Sequence, residues 1–137
     1  MKKLVALAAL AAVLVTALPA GSIYAYVGPE RLEIVLEENS SAAALVDYLA
    51  KGDVTVKMED YGNFEKTGEL GTRLPVNDER ITTVPGDVIL YLGRKIVLYY
   101  DENTWNFTRL GKIQGKSQAE LKRILGRVSV SVRFSLE

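Results

Sequence analysis

Val128, Val130, Val132 and Phe134 alternate with Ser129, Ser131, Arg133 and Ser135, and the same period of two returns in segment after segment upstream. A period of two sends successive side chains to opposite sides of a pleated strand, so each such stretch commits one face to a core. Leu32, Ile34 and Leu36 alternate with Arg31, Glu33, Val35 and Glu37. Val54, Val56 and Met58 alternate with Thr55 and Lys57. The segment DVILYLGRKIVLYY, from Asp87 to Tyr100, reads as a hairpin of two dense apolar strands, Val88 to Leu92 and Ile96 to Tyr100, punctuated by Gly93 and Arg94. Pro85-Gly86 just before it fits the centre of a type II turn, because proline fixes the first φ and glycine accepts a positive second one. From Thr104 to Leu110 large residues alternate with small polar ones, which puts Trp105 and Phe107 on one face.

Two segments carry the helical period instead. Asn39, Ser40 or Ser41 can cap the first turn of AAALVDYLAKG, where Ala44, Leu45, Tyr48 and Leu49 share a face and Gly52 marks the end. Ser117 and Glu120 form a capping box before a second short helix, with Leu121, Ile124 and Leu125 inward and Gly126 as its stop. Between Met58 and Asp87, Gly62, Gly68, Gly71, Pro75, Pro85 and Gly86 break the chain into short extended pieces joined by turns. The sum is about eight strands and two short helices, with no internal repeat or linker. The expected fold is mainly β: a closed barrel with two short capping helices, closure being what removes the exposed edge of an apolar hairpin such as 88–100.

The start of the chain reads as an address. Lys2 and Lys3 precede an apolar run from Leu4 to Leu18, which Pro19-Ala20-Gly21-Ser22 breaks. Basic start, apolar middle and small-residue exit make a secretory signal peptide, so residues 1–25 are expected to be removed and residues 26–137 to form the domain. Cleavage after Ala20 is the other position that the small residues allow. Retention as a membrane anchor is the alternative to removal, although fifteen helical residues reach only about 22 Å against a hydrocarbon core of roughly 30 Å. The expected location is the periplasm or the outside of the cell, with membrane contact only if the leader is retained.

Composition excludes several chemistries. The chain of 137 residues has no histidine and no cysteine, which rules out disulfides, a thiol nucleophile, a histidine base and a zinc site built from either residue. Seventeen basic residues balance seventeen acidic ones, so no nucleic-acid partner is expected. Asp60, Tyr61, Asn63 and Glu65 lack the spacing of a calcium loop, and Gly68, Gly71 and Gly93 lack that of a phosphate or dinucleotide loop. No metal and no cofactor are expected.

Between Leu70 and Ile113 a series of turn and arginine motifs occurs in order. Leu70-Gly71-Thr72-Arg73-Leu74-Pro75 is followed by Asp78-Glu79-Arg80-Ile81, Pro85-Gly86-Asp87-Val88 and Leu92-Gly93, then by Trp105 and Thr108-Arg109-Leu110-Gly111-Lys112-Ile113. This series resembles the small bacterial cyclophilin-like domain family, whose members are compact β-barrels capped by helices. The resemblance runs from about Leu32 to Leu136 and implies the barrel, without an established reaction. True cyclophilins set an arginine among phenylalanines, a glutamine and a histidine around a proline pocket. Here histidine is missing, and so is the Phe-x-Arg-x-Ile stretch.

The candidate ligand-binding residues are Arg73, Arg80, Tyr100, Trp105, Phe107 and Arg109. An arginine offers a planar donor fork for carboxylates, phosphates or peptide carbonyls; its competing role is to tie down loops by pairing with Asp78, Glu79 or Asp87. Trp105 and Phe107 make an aromatic wall, with core packing as the competing role, and only one of the adjacent Tyr99 and Tyr100 can join a given face. No catalytic residue is assigned. The expected function is a noncatalytic, monomeric binding domain for a peptide or small amphipathic ligand. A peptidyl-prolyl isomerase and a structural domain that docks a protein partner are the alternatives. An open groove flanked by Trp105 and one of the three arginines is what would favour binding.

Overall fold

In a computed structural model, which describes residues 21–62, 64–126 and 128–137, the alternating segments form nine strands and two helices among the described residues. They are β1 (Ser22–Val27), β2 (Glu30–Leu36), α1 (Ser40–Leu49), β3 (Val54–Tyr61), β4 (Glu65–Glu69), β5 (Glu79–Thr82), β6 (Asp87–Tyr91), β7 (Lys95–Tyr99), β8 (Thr104–Ile113), α2 (Gln118–Leu125) and β9 (Ser129–Ser135). Eight strands run in the order β2-β1-β9-β3-β4-β7-β6-β8, and β8 pairs back onto β2, so the sheet is a closed antiparallel barrel as expected. β5 lies outside the ring. It pairs with the first half of β8, Glu79 opposite Phe107 and Thr82 opposite Thr104, while the second half of β8 closes the barrel.

Gly111 makes that closure possible. It sits opposite Leu36, and a Cβ at this position would lie 2.4 Å from the Val35 carbonyl oxygen and 2.9 Å from Ile34 Cγ2. Only a residue without a side chain lets β2 and β8 approach to hydrogen-bonding distance here.

The inward positions of the eight barrel strands fill the lumen. Ile23, Ala25, Leu32, Ile34, Met58, Val88, Leu90, Ile96, Leu98, Val132 and Phe134 are buried and contiguous. The two helices close over this core. Asn39 caps α1 by accepting from the Ala42 amide at 2.8 Å, and α1 buries Ser41, Ala42, Leu45 and Leu49. Its inner face is thus turned from the expected one, leaving Ala44 and Tyr48 at the flank, where the Tyr48 hydroxyl donates to the Leu70 carbonyl at 2.8 Å. In α2 both halves of the capping box form and Leu121, Ile124 and Leu125 are buried; each is worth roughly 1.5–3 kcal/mol of burial.

Residues 1–20 of the expected leader lie outside the described residues, whereas Ser22–Ala25 fold as strand. They are most of β1, which pairs with both β2 and β9 and carries Ile23 and Ala25, fully buried, into the core. The barrel therefore begins at Ser22. A cut after Ala25 would remove two core side chains, whereas a cut after Ala20 leaves β1 whole.

Candidate functional site

β6 and β7 are apolar on both faces, and the second face makes the site. Val88, Leu90, Ile96 and Leu98 point into the barrel, while Ile89, Val97, Tyr99 and, from β8, Phe107 form a separate buried cluster on the outside. An antiparallel strand usually keeps one face wet, so a strand apolar on both requires a second covering layer. Ile81 of β5 and Phe64, from the turn joining β3 and β4, supply part of that layer.

The cover is incomplete and leaves a groove of about 670 Å³. Tyr61, Phe64, Tyr91, Tyr99, Trp105 and Phe107 wall it. Their rings form a connected series: Phe64 lies parallel to Tyr99 with centroids 6.1 Å apart, Tyr99 is tilted against Phe107 at 5.7 Å, and Phe107 meets Tyr91 edge-on at 6.0 Å. At the rim, Tyr61 is 65% and Trp105 52% exposed, so two large rings are held half in water beside a dry floor.

A few polar groups interrupt the wall. Glu65 on β4 stands directly opposite Tyr99 on β7 and is only 7% exposed. Burial raises its carboxyl above the usual carboxylate value, while the Tyr99 hydroxyl and the charge of Lys95 pull it down by less. Tyr99 is itself pushed up, chiefly by burial, and its hydroxyl accepts a 3.3 Å hydrogen bond from the Asn103 side chain. Lys95, half-buried, marks the far end of the groove, four rungs along β7 from Tyr99.

Only part of the expected site residues meet here. Trp105 and Phe107 share the groove as their spacing implied. Tyr100 does not: it faces the lumen, where its hydroxyl donates to Asp60 Oδ1 at 2.5 Å. The arginines are scattered away from the groove. Arg73 is exposed and donates to the Leu92 carbonyl at 3.4 Å, and Arg80 stands opposite Asn106, on the face of β5 turned away from Trp105. Arg109 follows Phe107 along β8, but its guanidinium reaches Asp87 at 3.3 Å and ties down the turn before β6. Among the described residues lining the groove the basic one is Lys95, and none is an arginine.

Beside Tyr100 the lumen holds a second polar group that the sequence did not single out. Lys66 is fully buried, with Nζ 2.8 Å from Asp60 Oδ1. The contact is an ion pair that lies off the hydrogen-bonding directions, and Nζ meets no other acceptor. Burial would raise the Asp60 carboxyl, yet Lys66 and the Tyr100 hydroxyl together hold it below the usual range. Glu65 and Lys66 are adjacent in sequence and on opposite faces of β4, one in the external groove and one in the lumen.

A closed eight-stranded barrel with an aromatic groove on its outer face defines a small, mainly β barrel domain. The chain belongs to the cyclophilin-like family, whose model matches residues 25–137. The fold is similar to the solution structure of the hypothetical protein AF2241 from Archaeoglobus fulgidus, with a TM-score of 0.64 at 14% identity, covering 85% of this chain and 95% of that one. Comparison with curated proteins gives no match.

Proposed function

We propose that the domain is a noncatalytic binding module that takes a peptide side chain or small amphipathic ligand into the external groove. The observation that carries this reading is the groove itself: a concave, water-open surface walled by six aromatic side chains over a dry floor, with few polar groups. The isomerase alternative loses its motivating geometry, because a twisted prolyl amide needs an arginine over an apolar floor and Arg73, Arg80 and Arg109 lie elsewhere. The pattern of Lys2, Lys3 and the apolar run to Leu18 supports export, with a mature domain that starts at Gly21, whose carbonyl accepts from the Leu36 amide at 2.9 Å.

Trp105 is the sole tryptophan of the chain, so its fluorescence reports on the groove alone. Titration with Phe-Pro and Leu-Pro dipeptides should shift that emission, and Trp105→Phe should retain binding detected by amide chemical shifts of β7. Phe107→Ala should weaken binding by about 2 kcal/mol, or some thirtyfold. A flat titration at millimolar peptide, by both readouts, would overturn the proposal. Catalysed isomerisation of the same dipeptides would replace binding with enzymatic turnover.

A further inference from the structure

We infer that the groove is built for an organic cation on an apolar body, an ammonium or guanidinium that seats against Glu65; this rests on the binding reading above. Glu65 is 93% withdrawn from water, lines the groove, and has no basic side chain within ion-pair distance among the described residues. A carboxylate so placed has lost hydration that one tyrosine hydroxyl only partly replaces, and a ligand cation supplies the missing counter-charge. The surrounding walls suit the same ligand. Aromatic faces carry negative quadrupole potential and attract cations, most strongly where water is excluded. Phe64, Tyr99 and Phe107 line the same groove as Glu65 and offer that surface.

Lys95 does not substitute for the ligand. The register puts Glu65 opposite Tyr99 and Glu69 opposite Lys95, so the lysine is four residues along the strand; its charge acts on Glu65 but makes no ion pair with it. Half-buried at the rim, it keeps much of its hydration and gains less from an anion than Glu65 gains from a cation. The groove thus has a desolvated negative end and a solvated positive end, which orients a ligand with its cation inward.

Three ligands with the same phenyl body separate the possibilities: phenethylammonium, 2-phenylethanol and 3-phenylpropanoate, each titrated against the full chain with Trp105 emission as the readout. Phenethylammonium is expected to bind about tenfold more tightly than the alcohol, with the anion weakest. Glu65→Gln should bring cation and alcohol to within about twofold, while Lys95→Gln leaves the preference in place. The comparison on the unmodified protein decides the matter even if the Glu65 variant fails to fold. Equal binding of cation and alcohol, or preference for the anion, overturns cation recognition and leaves the groove a binding site. No response to any of the three overturns both.

Discussion

Asp60→Ala should be among the most destabilising single changes in this barrel, although Asp60 belongs to no apolar cluster. Its carboxylate is the only counter-charge within 4 Å of Lys66 Nζ among the described residues, and Lys66 has no exposure. Removing one partner of a buried pair leaves the other charge uncompensated and typically costs about 3–5 kcal/mol. Asp60 is 28% exposed, so water can follow the truncation in, and the lower end of that range, about 3 kcal/mol, is the expectation. With a urea m-value of about 1.5 kcal/mol/M, the midpoint should fall by about 2 M. Lys66→Met combined with Asp60→Asn removes both charges, keeps an unbranched side chain at the buried position opposite Leu98, and should recover most or all of the loss.

The pH dependence has a defined sign. Asp60 is held below the usual carboxylate range in the folded barrel, so its stabilisation is present above the unfolded-state value and is lost as pH falls through the lower, folded one. Lys66→Met should therefore flatten the acid limb of the stability curve, and Tyr100→Phe should flatten it less. Denaturant midpoints from neutral pH downward test both statements. If Asp60→Ala costs under about 1 kcal/mol, or the double variant is no more stable than the single one, Lys66 is not a buried charge dependent on Asp60 and the argument fails.

Three further changes probe other parts of the structure. Gly111→Ala forces a Cβ against the Val35 carbonyl and should cost about 3 kcal/mol or more, with amide exchange of Ile34–Leu36 and Gly111–Ile113 accelerating first; unchanged protection there would refute closure through this seam. Glu65 titrates above its usual value, so the stability that its protonation confers is full below the unfolded-state value and lost as pH rises through the folded one. Glu65→Gln should thus gain on the wild type with rising pH across that window, read as diverging urea midpoints. Ser117→Ala removes one half of the capping box on α2 and should cost about 1 kcal/mol, seen as a lower midpoint with an unchanged m-value.

The barrel was legible in the sequence because its strands obey a period of two, and both helices because their caps and stops are chemical. The first strand was not. Ile23, Ala25 and Val27 alternate correctly, but only Pro19-Ala20-Gly21-Ser22 separates them from an apolar run, and hydrophobicity alone does not mark where a leader ends and a core strand begins. Trp105 and Phe107 were placed together by their spacing, whereas the arginines were grouped by proximity to turns. Turn residues set where a chain reverses and leave open which side of a sheet it faces, and the three arginines went three ways. Glu65 and Lys66 were hidden for a related reason. Between glycines they look like a polar loop, and only the register with Tyr99 and Leu98 sends one outward and the other inward.

One signal in the sequence did mark the groove. DVILY and KIVLY are apolar at consecutive positions, and a barrel needs only every second one. Val88, Leu90, Ile96 and Leu98 satisfy the lumen, which leaves Ile89, Tyr91, Val97 and Tyr99 on a face that water would otherwise wet. The chain covers that face with β5, the first half of β8 and the turn after β3, yet stops short, leaving Tyr61 and Trp105 more than half exposed. If the second layer served stability alone, the economical solution would be polar residues at those four positions and no cover at all. On the binding reading proposed above, the remaining cover of this half-covered apolar face comes from a ligand.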